Sequence, residues 1–109
     1  MRVIICEPGK FARVEEIENT LENLQKLVGG YIQIVYPFED MVCLVCNEEG
    51  KLSGLTLNRA LTDPNSGDIY DIIAGTFLIC GTGEEDLTDL TDEDTEKYLD
   101  MFGEPQVWL

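Results

Sequence analysis

Met41-Val42-Cys43-Leu44-Val45-Cys46-Asn47-Glu48-Glu49-Gly50-Lys51-Leu52-Ser53-Gly54-Leu55-Thr56-Leu57 sets two apolar runs on either side of a polar pentapeptide, with Asn58-Arg59 directly behind the second. Both runs read as strands, and residues 47–51 carry turn chemistry. The stretch therefore predicts a β-hairpin with Gly50 at a position of positive φ. It also gathers carboxylates, amides and two cations, Lys51 and Arg59, around one turn. Such a grouping is either a binding site or an ordinary hairpin tip, because Asn, Glu and Gly are also what a solvated turn uses.

Upstream, residues 2–6 are an apolar run that stops at Glu7-Pro8-Gly9, which reads as a short buried strand followed by a loop. Val14, Ile17, Leu21, Leu24 and Val28 recur at spacings of three and four, a stripe that predicts a helix ended by Gly29-Gly30. Tyr31-Ile32-Gln33-Ile34-Val35-Tyr36 is β-branched and aromatic and stops at Pro37, as a strand does. Downstream, residues 63–68 form a dense turn cluster, and a strand is expected over residues 72–80 with Gly75-Thr76 inside it. Thr91, followed by Asp92-Glu93-Asp94, has the chemistry of a helix N-cap and an acidic first turn, and Gly103 and Pro105 end that helix. The order of elements predicts an α+β fold: a small, mainly antiparallel sheet of about five strands with two helices packed on one face.

A chain of 109 residues fits a single α+β domain, residues 1–109, with the acidic segment 82–109 as part of it. Twenty-two Asp and Glu against seven Lys and Arg give a formal net charge of −15. Ten of those acids and a single base, Lys97, fall in residues 82–109, so the last quarter dominates the field. A field of this sign repels nucleic acid and anionic membrane and attracts basic partners. No stretch approaches the roughly 20 apolar residues that cross a bilayer, and the apolar start is too short for a signal peptide. A cytoplasmic location is expected, with Cys6, Cys43, Cys46 and Cys80 as reduced thiols.

The chain contains no histidine, which removes Ser-His-Asp and Cys-His catalysis and imidazole metal sites. Cys43-Leu44-Val45-Cys46 has C-x-x-C spacing, but on a strand residues three apart point to opposite faces, so no metal site is expected from it. The acids of residues 84–94 lack the glycine and the spacing of a calcium loop. Glu48 and Glu49 are neighbours on a turn, a placement that seldom converges two carboxylates on one substrate. The expectation is a protein that is not an enzyme and needs no cofactor, with no catalytic residues.

With Gly29-Gly30-Tyr31-Ile32 upstream of Asn47-Glu48-Glu49-Gly50-Lys51, and Gly75-Thr76-Phe77 downstream, the chain resembles domain-of-unknown-function family 3846. The resemblance spans nearly the whole sequence. It implies a small protein of phages or mobile elements, which would work in the host cytoplasm if phage-encoded, but it names no reaction. Accessory proteins in that setting often counter host defences, and two readings follow. In the first, the chain sequesters a small nucleotide-like ligand. The candidate ligand-binding residues are Tyr31, Asn47, Glu48, Lys51, Asn58 and Arg59: the guanidinium would fork onto a phosphate, Lys51 would add a point charge, the two amides would read a base edge and a tyrosine would stack on it. A homo-oligomer would bring two Arg59 residues together. In the second, residues 84–100, with nine acids, imitate the charge array of DNA and bind a basic host protein. Neither reading has the chain contacting nucleic acid directly.

Overall fold

The computed structural model describes residues 1–108. Along the chain run β1 (Arg2–Cys6), β2 (Arg13–Glu16), α1 (Leu21–Val28), β3 (Ile32–Val35), β4 (Val42–Asn47), β5 (Leu57–Thr62), β6 (Ile69–Ala74), β7 (Phe77–Thr82), β8 (Leu87–Thr88) and α2 (Asp92–Phe102). The α+β class and the antiparallel sheet are as expected. The strands number eight rather than about five: six form one sheet, ordered β2-β1-β7-β4-β3 with β8 also on β7, while β5 and β6 pair separately.

The helices do not share a face. Ile4, Cys6, Val42, Leu44, Phe77 and Ile79 point from the large sheet towards Tyr98 and Phe102 of α2 and towards Leu61 and Ile73 of the β5–β6 pair. Val3, Ile5, Cys43, Val45, Leu78 and Cys80 point the other way, towards Leu24 of α1. The reason lies in β1, β4 and β7, which are apolar at consecutive positions. A strand that is apolar on both faces needs cover on both, since each fully buried aliphatic side chain contributes roughly 1.5–3 kcal/mol.

Helix α1 is shorter than its stripe implied. Residues 13–16 pair with β1 as an edge strand, Arg2 opposite Glu16 and Ile5 opposite Arg13, and Val14 stays 40% exposed. The helix starts only after Thr20, whose side chain accepts a hydrogen bond from the Asn23 N–H, and it ends at Gly29, with φ of 80°. The spacing of Val14 and Ile17 suits a helix, but a free edge of β1 beside them takes their backbone into the sheet. Helix α2 begins as expected, with Thr91 accepting from the Asp94 N–H at 3.1 Å.

The hairpin expected over residues 41–57 does not form. Strand β4 pairs with β3 and β7 instead, and residues 48–54 are a series of turns that carries the chain to β5. Nor does Gly50 have a positive φ; within this stretch Gly54 does. Gly50 is needed for space: a Cβ there would stand 2.7 Å from the Ala74 carbonyl oxygen. Gly50→Ala is therefore expected to cost about 1–3 kcal/mol, measured by urea denaturation. An unchanged midpoint would mean that the turn moves freely away from β6. The strand expected over residues 72–80 is likewise two strands in different sheets. Gly75, with φ of 81°, turns the chain between β6 and β7, a conformation that residues with a Cβ rarely adopt.

Candidate functional site

Strand β5 holds two of the six expected ligand residues, and both are buried. Alternation along a strand would turn Asn58 and Arg59 to opposite sides, but the register with β6 slips between Leu57 and Arg59, and this bulge turns both inward. The Asn58 amide donates to the carbonyls of Cys6 and Gly75, each at 2.9 Å. Its oxygen accepts from Arg59 Nη1 at 2.7 Å. The rest of the guanidinium is spent on main-chain carbonyls: Phe102 from Nε and Nη2, Glu7 from Nη1 and Lys10 from Nη2.

Arg59 is thus a structural residue. Helix α2 has three acids in its first turn and no base in its last, and Arg59 brings a positive charge from another strand to that C-terminal end, where the helix dipole favours one. Burial pulls its pKa down, yet the group remains a cation. The same burial pushes the neighbouring Cys6 thiol up to about 12, against the opposing pull of Arg59 and Arg13.

Three of the other four line one groove, and Tyr31 is tied to them only through its backbone. Asn47 ends β4, donates to the Val28 carbonyl at 3.1 Å and accepts from the Glu49 N–H at 2.8 Å. The Glu48 N–H donates to the carbonyl of Tyr31, whose ring is exposed. Asn47, Glu48 and Lys51 line a groove of about 340 Å³ between the end of β4 and strand β6, with Gln33, Cys46 and Asp71. Sequence reasoning missed Asp71 because it lies on a strand far along the chain, with no local signal. It changes the chemistry of the groove: its carboxylate binds Lys51 at 2.5 Å, and the Lys51 hydrogen bond, aided by the Ile72 N–H, holds the Asp71 pKa below the usual range. Burial, reinforced by Asp71, raises the Cys46 thiol pKa. With Lys51 paired and Glu48 and Glu49 on the rim, the groove offers a phosphate no net positive charge. The C-x-x-C sulfurs diverge as expected, Cys46 into the core under α2 and Cys43 into the core under α1.

The acidic segment is organised by α2. Glu93, Glu96 and Asp100 are exposed and follow at spacings of three and four, with Glu104 four residues further on, opposite the buried Tyr98 and Phe102. At 1.5 Å rise per residue, this ridge places a carboxylate about every 4.5–6 Å along the helix. Lys97 lies beside the ridge, held at 2.7 Å by Asp40, which also accepts from the Tyr98 hydroxyl at 2.8 Å. These hydrogen bonds, that of Lys97 first, pull the Asp40 carboxyl below its usual range. Beyond the helix the chain folds back on β5: the Ala60 N–H donates to the Gln106 side chain, and the Trp108 indole donates to the Asn58 carbonyl at 3.0 Å.

No helix is long and apolar enough to cross a membrane among the described residues. A family model described as "Domain of unknown function (DUF3846)" matches residues 1–103. No curated protein and no solved structure matches the chain.

Proposed function

As the chain belongs to the DUF3846 family, whose description assigns no activity, we propose from its own residues that it is a non-enzymatic binding protein that engages a basic partner through the acidic outer face of α2. The observation that carries this reading is the disposition of charge. Arg2, Lys10, Arg13, Lys51 and Lys97 are each tied to a carboxylate, and Arg59 is buried. Lys26 alone has no such tie among the described residues. Most of the 22 acids have no cation opposite them, those of the α2 ridge included. A surface of this kind has no cluster of free cations to receive a phosphate, while its field draws in a positively charged protein.

A basic host protein that handles nucleic acid suits the surface best, because duplex DNA shows each such protein one charge per 3.4 Å of each strand, and the ridge offers a sparser array of the same kind. The resemblance to proteins of mobile elements fits a counter-defence role for such a mimic, in the host cytoplasm. The groove of about 340 Å³ beside Asn47, Glu48 and Lys51 keeps a small-ligand reading in play. Its chemistry favours a neutral or cationic hydrogen-bonding molecule over a nucleotide.

The test compares immobilised wild-type chain with two variants, Glu93→Gln/Glu96→Gln/Asp100→Asn on α2 and Glu22→Gln/Glu48→Gln/Glu49→Gln elsewhere. A basic host protein should be retained by the wild type and the second variant, lost by the first, and weakened about tenfold or more between low and physiological salt, as screening predicts. Retention by the α2 variant with loss in the other would move the function to the groove.

A further inference from the structure

A cavity of about 330 Å³ lies between α2 and the β5–β6 pair, lined by Phe38, Leu61, Tyr70, Tyr98, Met101 and Phe102. Met101 and Gln106 also line a more open hollow of about 470 Å³ around the end of α2, which reaches Phe11. The two hollows share Met101 and Gln106, and along this path Phe11, Tyr70 and Met101 stand in solvent, at 69%, 57% and 55% exposed. Single exposed apolar residues need no explanation, but a run of them bordering a formed cavity is the surface an apolar partner group covers.

The rim of the path is acidic. Glu39 lines the first cavity, and Asp100 and Glu104 line the second hollow. The cation at the first cavity, Lys97, is held by Asp40, with Asp94 and Glu39 close enough to raise its pKa further. Met101 and Gln106, which line both hollows, therefore set the apolar cavity beside Asp100 and Glu104 at the C-terminal end of the carboxylate ridge. A second copy of this chain is a poor occupant, since it would bring another −15 against that rim. The chain's own end is already engaged on β5 through Gln106 and Trp108.

We infer that the groove between α2 and the β5–β6 pair receives the apolar side chains of a basic amphipathic helix on the partner. The partner would then present lysines or arginines to Asp100, Glu104 and the α2 ridge while a large apolar anchor enters beside Tyr70 and Met101. This rests on the reading of α2 as the surface for a basic protein and narrows it. Helix-in-groove recognition needs an apolar pocket for an anchor side chain and charges at its rim, and the cavity lining and Glu39, Asp100 and Glu104 supply these.

The probes are two labelled helical peptides of equal positive charge, one of lysine with leucine and tryptophan on a single face, the other of lysine and alanine. Binding is followed by fluorescence anisotropy to the wild type, to Tyr70→Ser/Met101→Ser and to Glu93→Gln/Glu96→Gln/Asp100→Asn, after thermal melts show each variant folded. The anchored peptide should bind about tenfold or more tighter than its alanine counterpart and lose that advantage on Tyr70→Ser/Met101→Ser, whereas the alanine peptide should be indifferent to that change. Both should weaken on neutralisation of α2. Equal affinities for the two peptides, or an anchored peptide indifferent to Tyr70→Ser/Met101→Ser, would overturn the groove while leaving the acidic face as the contact. Binding of neither peptide, or binding untouched by neutralising α2, would overturn both.

Discussion

Replacing Arg59 with alanine is expected to destabilise the protein by about 4 kcal/mol, a large share of the roughly 5–15 kcal/mol that a domain commonly has. The guanidinium is fully buried and donates to the carbonyls of Glu7, Lys10 and Phe102 and to Asn58. Truncation leaves those acceptors without donors in a cavity that water fills poorly, at roughly 1–3 kcal/mol for each buried group left unsatisfied. Arg59→Lys should recover little, because an ammonium lacks the fork that spans three segments at once. Urea denaturation measures the loss, and Arg59→Ala/Asn58→Ala beside the single changes should be far from additive, as the two side chains share a hydrogen bond. A midpoint for Arg59→Ala within about 0.5 kcal/mol of wild type would return the residue to the surface and to ligand binding. For the same reason, loss of a ligand in Arg59→Ala would say nothing of contact with it unless the variant were shown to be folded.

Phe102→Ala is expected to cost about 3–5 kcal/mol, the range for an aromatic side chain removed from a packed core. Its ring meets those of Phe77 and Phe38 edge-on, with centroids 5.8 and 6.0 Å away. It is also the residue whose carbonyl takes two of the Arg59 hydrogen bonds, so the cavity loosens the end of α2 that Arg59 holds. At about 4–8 °C per kcal/mol for a domain near this size, the melting temperature should fall by at least about 12 °C. Met101→Ala, one residue earlier on the exposed side of the same helix, should leave it almost unmoved. Equal shifts in the two variants would mean that α2 does not pack through Phe102.

The charge pattern and the groove together give these stability changes a bearing on function. Arg59 and Phe102 hold the C-terminal end of α2, and that end carries Met101, Asp100 and, just beyond it, Glu104. A partner gripping both the ridge and the apolar path depends on a rigid helix end, which the buried contacts of Arg59 and Phe102 supply.

Local chemistry in the sequence determined the class of fold and much of its element content. The apolar runs of β1 and β4 and the β-branched β3 could be only strands, Thr91 with its acids could begin only a helix, and the C-x-x-C thiols had to diverge once they lay on a strand. The acidic excess was equally plain from composition. Tertiary structure alone decided which strands pair. Residues 13–16 joined β1 because its edge was open, β5 left β4 for β6, and Gly75 divided one apolar run between two sheets. It also decided that Asn58 and Arg59, polar residues that suggested a site, would be turned inward by a bulge to satisfy the carbonyls of segments some 40 to 50 residues away in sequence. The division has a physical cause: side-chain periodicity and capping act over one or two turns of chain, whereas burial and the pairing of every backbone polar group are settled only when distant segments meet.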